Sequence, residues 1–204
     1  MRADVFFVAL SALCLSGCIA WDAGYTANAP VRNSEARIDE KIPIDYSIVL
    51  KKDGADVAAS PDVSGLREKV EKALKDTGLF SEVSYGARDV EKSYHLTFRF
   101  HQGCVAEAES SILGMLSGCT FTLVPNVERS TFDGVAELAL QGKILCTSAK
   151  AEEVRYFIWL PMLPAGLFMN SWSAWEAVET GTVNALVNDV ADFHRKRFQV
   201  GSAR

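Results

Sequence analysis

Few side chains in this chain are equipped for covalent or metal chemistry: five cysteines, at 14, 18, 104, 119 and 146, and three histidines, at 95, 101 and 194. No two of Cys104, Cys119 and Cys146 have the close spacing of zinc ligands, and no Cys-x-x-Cys pair occurs. Cys104 and Cys119 are the preferred disulfide, because a loop of about 15 residues closed by a bridge contributes roughly 3 kcal/mol in the chain-entropy model; three reduced thiols are the alternative. His95 and His101 share one face of a period-two run but lie roughly 20 Å apart at about 3.3 Å per residue, so they cannot bind one metal together. His194 falls near the end of the last helical stretch, where the dipole favours a cation. All three histidines are expected at the surface, and neither a metal nor a cofactor is expected. Gly-x-Ser-x-Gly, His-Glu-x-x-His and phosphate-binding glycine loops are absent. One cluster has nucleophile chemistry, Cys104 with His101, Glu107 and Glu109; a Cys–His hydrolase there requires Cys104 to be a free thiol. No catalytic residue is assigned, and enzymatic activity is not expected.

Cys18 is set apart by what precedes it. Arg2 gives a short positive segment, weakened by Asp4, and Val5 to Leu15 form an uninterrupted small-and-apolar run. That run is too short to cross about 30 Å of hydrocarbon as a helix, and it has the layout of an export signal. It ends in Leu15-Ser16-Gly17-Cys18. Small residues before a cleavage point let the backbone lie extended in a protease groove, and a thiol can accept a diacylglyceryl group. This quartet resembles the lipobox of bacterial lipoproteins. The resemblance implies that residues 1–17 are a signal peptide and that Cys18 becomes the lipidated, palmitate-bearing amino terminus of a protein facing the periplasm. In Gram-negative lipoproteins the residue after the lipidated cysteine bears on sorting; Ile19 is not acidic, which implies the cell outer membrane before the inner one. Two or three acyl chains, at about 0.8 kcal/mol per buried CH₂, anchor durably where one does not.

Composition narrows the rest. With 49% hydrophobic and 10% aromatic residues the chain can build a core, and disorder is excluded as the default. The net charge of −5 is unchanged by removal of residues 1–17, which carry one arginine and one aspartate. A mildly acidic chain with no basic stripe has no electrostatic reason to bind nucleic acid.

The elements that must position any site follow from periodicity. Residues 18–41 mix Gly24, Asn28, Pro30, Asn33 and Ser34 without a sustained period and read as a lipidated tether, of roughly 25 Å root-mean-square reach. Residues 42–200 read as a single globular domain. Ile42, Ile44, Tyr46, Ile48 and Leu50 alternate with more polar residues, as in a half-buried strand ending at Lys52-Asp53-Gly54. Ser60, Pro61 and Asp62 start a helix whose apolar stripe is Val63, Leu66, Val70, Ala73 and Leu74, and Gly78 with Leu79 ends it. Its charges, including the spacings Glu68–Lys72 and Glu71–Lys75, are expected on a solvated face. Further strands are expected at Phe80–Tyr85 and Ser93–His101, a buried hairpin or short helix around Ile112–Leu116, and strands at Cys119–Val124, Val135–Leu140, Lys143–Ser148 and Val154–Leu160, with a hairpin about Gln141-Gly142. A closing helix from Ser173 or Trp175 buries Val178, Thr182, Val183, Leu186, Val187, Val190 and Phe193. The fold class expected is α+β: a mixed, mostly antiparallel sheet with two main helices packed on one face.

The stretch Gly65–Tyr85 followed by Ser93–Phe100 resembles the helix–strand–strand core of periplasmic lipoproteins of the curli-secretion, penicillin-binding-protein-activator and Tol amino-terminal types. That resemblance implies the general fold and an envelope setting, and no binding residue. Two roles are expected. The first is a membrane-anchored, non-enzymatic binding or accessory module with an envelope protein as partner and the lipid bilayer engaged through Cys18. The second adds an apolar membrane-contacting edge, used in lipid handling, from Ile112–Leu116 and the segment holding Trp159, Leu163, Phe168 and Trp172.

Overall fold

The structure is a computed structural model, and it describes residues 18–22, 30–31, 41–57, 61–86, 94–105, 115–116, 126–158 and 171–201. The elements are β1 (Cys18–Asp22), β2 (Ile42–Lys52), β3 (Ala55–Asp56), α1 (Pro61–Asp76), β4 (Phe80–Tyr85), β5 (Tyr94–Val105), β6 (Asn126–Leu140), β7 (Lys143–Ile158) and α2 (Ser171–Gly201). This is the expected α+β class. The strands form a mixed, mostly antiparallel sheet in the order β1-β7-β6-β5-β2-β3, with β4 alongside β2.

Period-two alternation builds the core. Ile44, Tyr46, Ile48 and Leu50 of β2, Leu96, Phe98 and Phe100 of β5, and Phe132, Ala136 and Leu138 of β6 are all buried. Phe98 and Phe100 stack with ring centroids 5.9 Å apart, and Phe100 and Phe132 with centroids 5.3 Å apart. β2 runs parallel to β4 on one side and to β5 on the other. A parallel neighbour demands a crossover, and α1 supplies it between β2 and β4. Two tight turns close antiparallel pairs. Asp53 (φ 49°) with Gly54 (φ 82°) joins β2 to β3, and Gln141 (φ 52°) with Gly142 (φ 72°) joins β6 to β7. Positive φ at both central residues matches the right-handed twist of the strands they connect.

α1 starts at Pro61, where the missing N–H is no loss, and buries Leu66, Val70, Ala73 and Leu74. Gly78 (φ 69°) ends it, and the Leu79 side chain folds back into the core. Thr77 completes the stop in a way the sequence alone did not announce. Its buried hydroxyl donates to the Leu74 carbonyl at 2.7 Å and accepts the Leu79 N–H at 3.3 Å. α2 buries Val178, Thr182, Val183, Leu186, Val187 and Val190, as the periodicity requires, and begins at Ser171, ahead of Ser173. Its approach to β6 is close: a Cβ on Gly134 would stand 2.8 Å from Leu186 Cδ1 and 3.1 Å from Thr182 Cγ2. Glycine in a strand interior marks such an approach.

The chain divides into two compact units, one of residues 1–25, 104–131 and 153–178, the other of residues 26–103, 132–152 and 179–204. In the first, β1 pairs antiparallel with the last five residues of β7, from Cys18 opposite Ile158 to Asp22 opposite Val154. The expectation of an unstructured stretch from the cysteine onward is corrected at these five residues, whose pairing partner lies far along the chain and leaves no local period. Glu153 in this unit receives Arg155 at 2.8 Å and Arg129 at 3.7 Å. In the second unit, the Asp189 carboxylate of α2 accepts the Ser148 hydroxyl at 2.6 Å and the Lys150 ammonium at 2.9 Å, clamping β7 to the helix. Strands expected at 143–148 and 154–160 are one continuous strand, because the intervening Ala149, Lys150, Ala151 and Glu152 carry the ladder on without an apolar alternation to betray it.

Candidate functional site

The second unit presents a polar band on the sheet face away from the helices. β2 contributes Asp45 and Ser47, β4 Ser84, β5 His95, Thr97, Arg99 and His101, and β6 Asp133 and Glu137. The parallel register brings them together: Asp45 stands between Ser84 and His95, and Ser47 stands opposite Thr97. Ser47 Oγ lies 3.1 Å from His95 Nε2 and donates to Thr97 Oγ1 at 3.5 Å. Arg99 pairs with Glu137 at 3.0 Å and His101 with Asp133 at 3.8 Å. Asp45 is only 8% exposed, whereas Arg99 and His101 are open to solvent.

A hydroxyl against an imidazole, with a carboxylate on the imidazole's own rung, is half of a nucleophile–base arrangement. The other half is a pair of donors aimed at a developing oxyanion. At Asp45 the backbone of β2 is paired on both sides, so its ladder groups are committed to β4 and β5. What the band offers is a graded set of hydrogen-bond donors and acceptors of both charge signs, suited to recognition. Among the described residues no three of His, Cys, Asp and Glu come together to hold a metal ion.

His194 departs from its expected place. It is 2% exposed, packed edge-on to the Phe80 ring at 6.2 Å and the Tyr94 ring at 6.1 Å. Burial pushes its pKa down, and Arg197 and Arg195 push it further, so the ring is held neutral instead of serving as a helix-end cation. It takes the inward position assigned from sequence to Phe193, which is half-buried. Lys69 of α1 is likewise not on a solvated face; it forms an ion pair with Glu179 of α2. Glu71 and Lys75 do pair on the surface of α1, at 2.6 Å.

The residues singled out from sequence are placed as follows. Cys18 is the first residue of β1. Cys104 carries an exposed thiol 3.8 Å from the Ser130 hydroxyl, and Cys119, its expected disulfide partner, lies outside the described residues. Cys146 is a half-buried free thiol whose pKa is raised by burial and by the nearby Asp189 carboxylate. Trp172 is the second residue of α2. Cys119, Glu107, Glu109, Trp159, Leu163 and Phe168 lie outside the described residues, as do the expected strand at 119–124 and the apolar run at 5–15. Met115 and Leu116 are helical but exposed, at 74% and 48%, against the expectation of a buried cluster. No described helix is long and apolar enough to cross a membrane. Asp45 and Ser47 were not singled out from sequence; their only signal is a polar place in an alternating strand, and pairing with His95 depends on a register that local pattern does not encode.

The sequence matches no known family model, and no curated protein is similar to it. Among solved structures it is similar to a Xanthomonas campestris protein assigned to DUF330, with 13% identity, TM-score 0.47, and 85% of this chain and 97% of that one covered. A putative neuraminyllactose-binding hemagglutinin homolog from Helicobacter pylori has 8% identity and TM-score 0.42, with coverage of 88% and 97%. The rare lipoprotein B from Shewanella oneidensis has 12% identity and TM-score 0.29, with coverage of 77% and 97%. Identities this low transfer no residue's role to this chain.

Proposed function

We propose that this protein is a non-enzymatic accessory lipoprotein of the bacterial envelope, cut before Cys18, lipidated there, and held on the periplasmic face of the outer membrane, where it binds another envelope protein. The observation that carries the reading is Leu15-Ser16-Gly17-Cys18 at the end of an apolar run of signal-peptide length. The polar band from Asp45 to Glu137 supports a recognition role, because it sets paired charges and hydroxyls on one sheet face. Metabolic labelling with a fatty acid, comparing the wild type with Cys18→Ala and followed by membrane fractionation, tests the anchor and the membrane. Loss of label and release from the membrane in the variant are expected; an unlabelled wild type overturns the reading. Crosslinking in intact envelopes tests the partner, and recovery of this chain alone under several crosslinkers counts against one.

A second reading, an accessory role in lipid handling, is favoured by one observation. Met115 and Leu116 expose adjacent apolar side chains. Substituting both with serine leaves the anchor intact and, on this reading, lowers lipid extraction from vesicles.

A further inference from the structure

If Cys18 is lipidated, the register of β1 determines how the folded chain meets the membrane. Cys18 stands opposite Ile158, Ile19 opposite Phe157, Ala20 opposite Tyr156, Trp21 opposite Arg155 and Asp22 opposite Val154. The first three rungs contain no charged residue. Charge enters at the fourth and fifth with Arg155 and Asp22, and the next residue of β7, Glu153, is already held by Arg155 and Arg129. Three rungs at about 3.3 Å each span roughly 10 Å, comparable with the roughly 5–10 Å to which amphipathic elements sink into the headgroup–acyl boundary.

We infer that the Cys18–Ile158 end of the β1–β7 pair is a membrane-docking edge, seated in the headgroup region of a phospholipid bilayer. This inference rests on the lipidation reading and deepens it. No tether separates anchor from fold: the first strand starts at the acylated residue, on the backbone rung it shares with Ile158, and the first charges along the pair come with Arg155 and Asp22. Depth is limited by the backbone. β1 has no strand beside it other than β7 among the described residues, and its outward N–H and C=O groups need water or headgroups as partners. The edge therefore rests in the interface and goes no deeper.

The test uses the full-length protein, acylated in its host, purified and reconstituted into phosphatidylethanolamine–phosphatidylglycerol vesicles. In a background with Cys104, Cys119 and Cys146 changed to serine, a nitroxide is attached at Ile158→Cys or at Glu153→Cys, and its collisions with oxygen and with a water-soluble nickel chelate are compared. The ratio of oxygen to nickel collisions is expected to be several-fold higher at 158 than at 153. Tyr156→Cys gives an intermediate value and serves where Ile158→Cys does not fold. Equal ratios at 158 and 153 in a protein whose amino-terminal peptide has the mass of the acylated form overturn the docking edge and leave the anchor standing. So does dipolar broadening at 158, which would place a second copy of the chain there. An amino-terminal peptide without acyl groups overturns the lipidation reading and the docking edge with it.

Discussion

The Lys69 ammonium lies 2.6 Å from a carboxylate oxygen of Glu179, joining α1 to α2 with side chains only 21% and 16% exposed. Glu179 lies near the start of α2 and reaches across to the neighbouring helix. Removing Lys69 takes from Glu179 the cation it meets in a partly dry crevice. Lys69→Met is expected to lower stability by about 1–3 kcal/mol, the range for losing a hydrogen bond to a charged group. Lys69→Met with Glu179→Leu recovers most of that loss, since an apolar pair of similar shape is often as stable as an ion pair. Urea unfolding of the wild type, both single variants and the double variant measures the coupling. Additive single effects would show that the contact contributes nothing of its own.

Gly134 sets how closely α2 lies on β6. A methyl group there meets Leu186 Cδ1 at 2.8 Å and Phe100 Cε1 at 3.1 Å, both at the ends of side chains. Gly134→Ala can be absorbed in part by rotation of Leu186, whereas Gly134→Val adds two more carbons and cannot. Gly134→Val is expected to cost about 1–3 kcal/mol by overpacking, and Gly134→Ala less. Thermal unfolding of both variants checks the order, and a valine variant as stable as the wild type would mean that the helix moves away without penalty.

The parts of the fold legible in the sequence are those whose signal is local. Ile44 to Leu50, Leu96 to Phe100 and the α2 stripe from Val178 to Val190 announce their buried faces by period, and Pro61, Gly78 and Gln141-Gly142 announce their ends and turns. Features set by partners far along the chain were not legible. β1 exists because β7 lies beside it, and the half of β7 around Lys150 is held by Asp189, forty residues away by order of magnitude. The Ser47–His95 contact follows from the parallel register of β2 with β5, strands more than forty residues apart in the chain. His194 and Phe193 were exchanged because one step of helical phase, about 100°, moves a residue from the rim of the stripe to its centre.

Burial of His194 makes the fold sensitive to mild acid. Its pKa lies below the ordinary value of 6.5 in the folded state, chiefly because the ring is desolvated. Below about pH 6.5 the unfolded chain therefore binds a proton before the folded one does. The contribution of the neutral ring is complete above that pH and declines as pH falls towards the folded-state value. Stability measured by urea unfolding is expected to fall as pH drops below about 6.5, and His194→Phe is expected to flatten that part of the profile. The same slope in the variant would assign the sensitivity to carboxylates.

Cys104 and Cys146 should differ in reactivity because one is exposed and the other half-buried beside a carboxylate. Cys104 is exposed at the end of β5, and Cys146 is half-buried with its pKa raised by desolvation and by the Asp189 carboxylate. Alkylation proceeds through the thiolate and needs access; access favours Cys104, and burial with the Asp189 carboxylate works against the Cys146 thiolate. In a Cys119→Ser background, iodoacetamide at pH 8 is expected to label Cys104 first, with Cys146 following only as the protein unfolds. Asp189→Asn should speed labelling of Cys146, by removing the negative charge that opposes its thiolate and by loosening the clamp on Ser148 and Lys150. Peptide mass spectrometry over a time course separates the sites. Labelling of Cys146 before Cys104 in the native protein would mean that β7 opens from α2 more readily than its bonds to Asp189 allow.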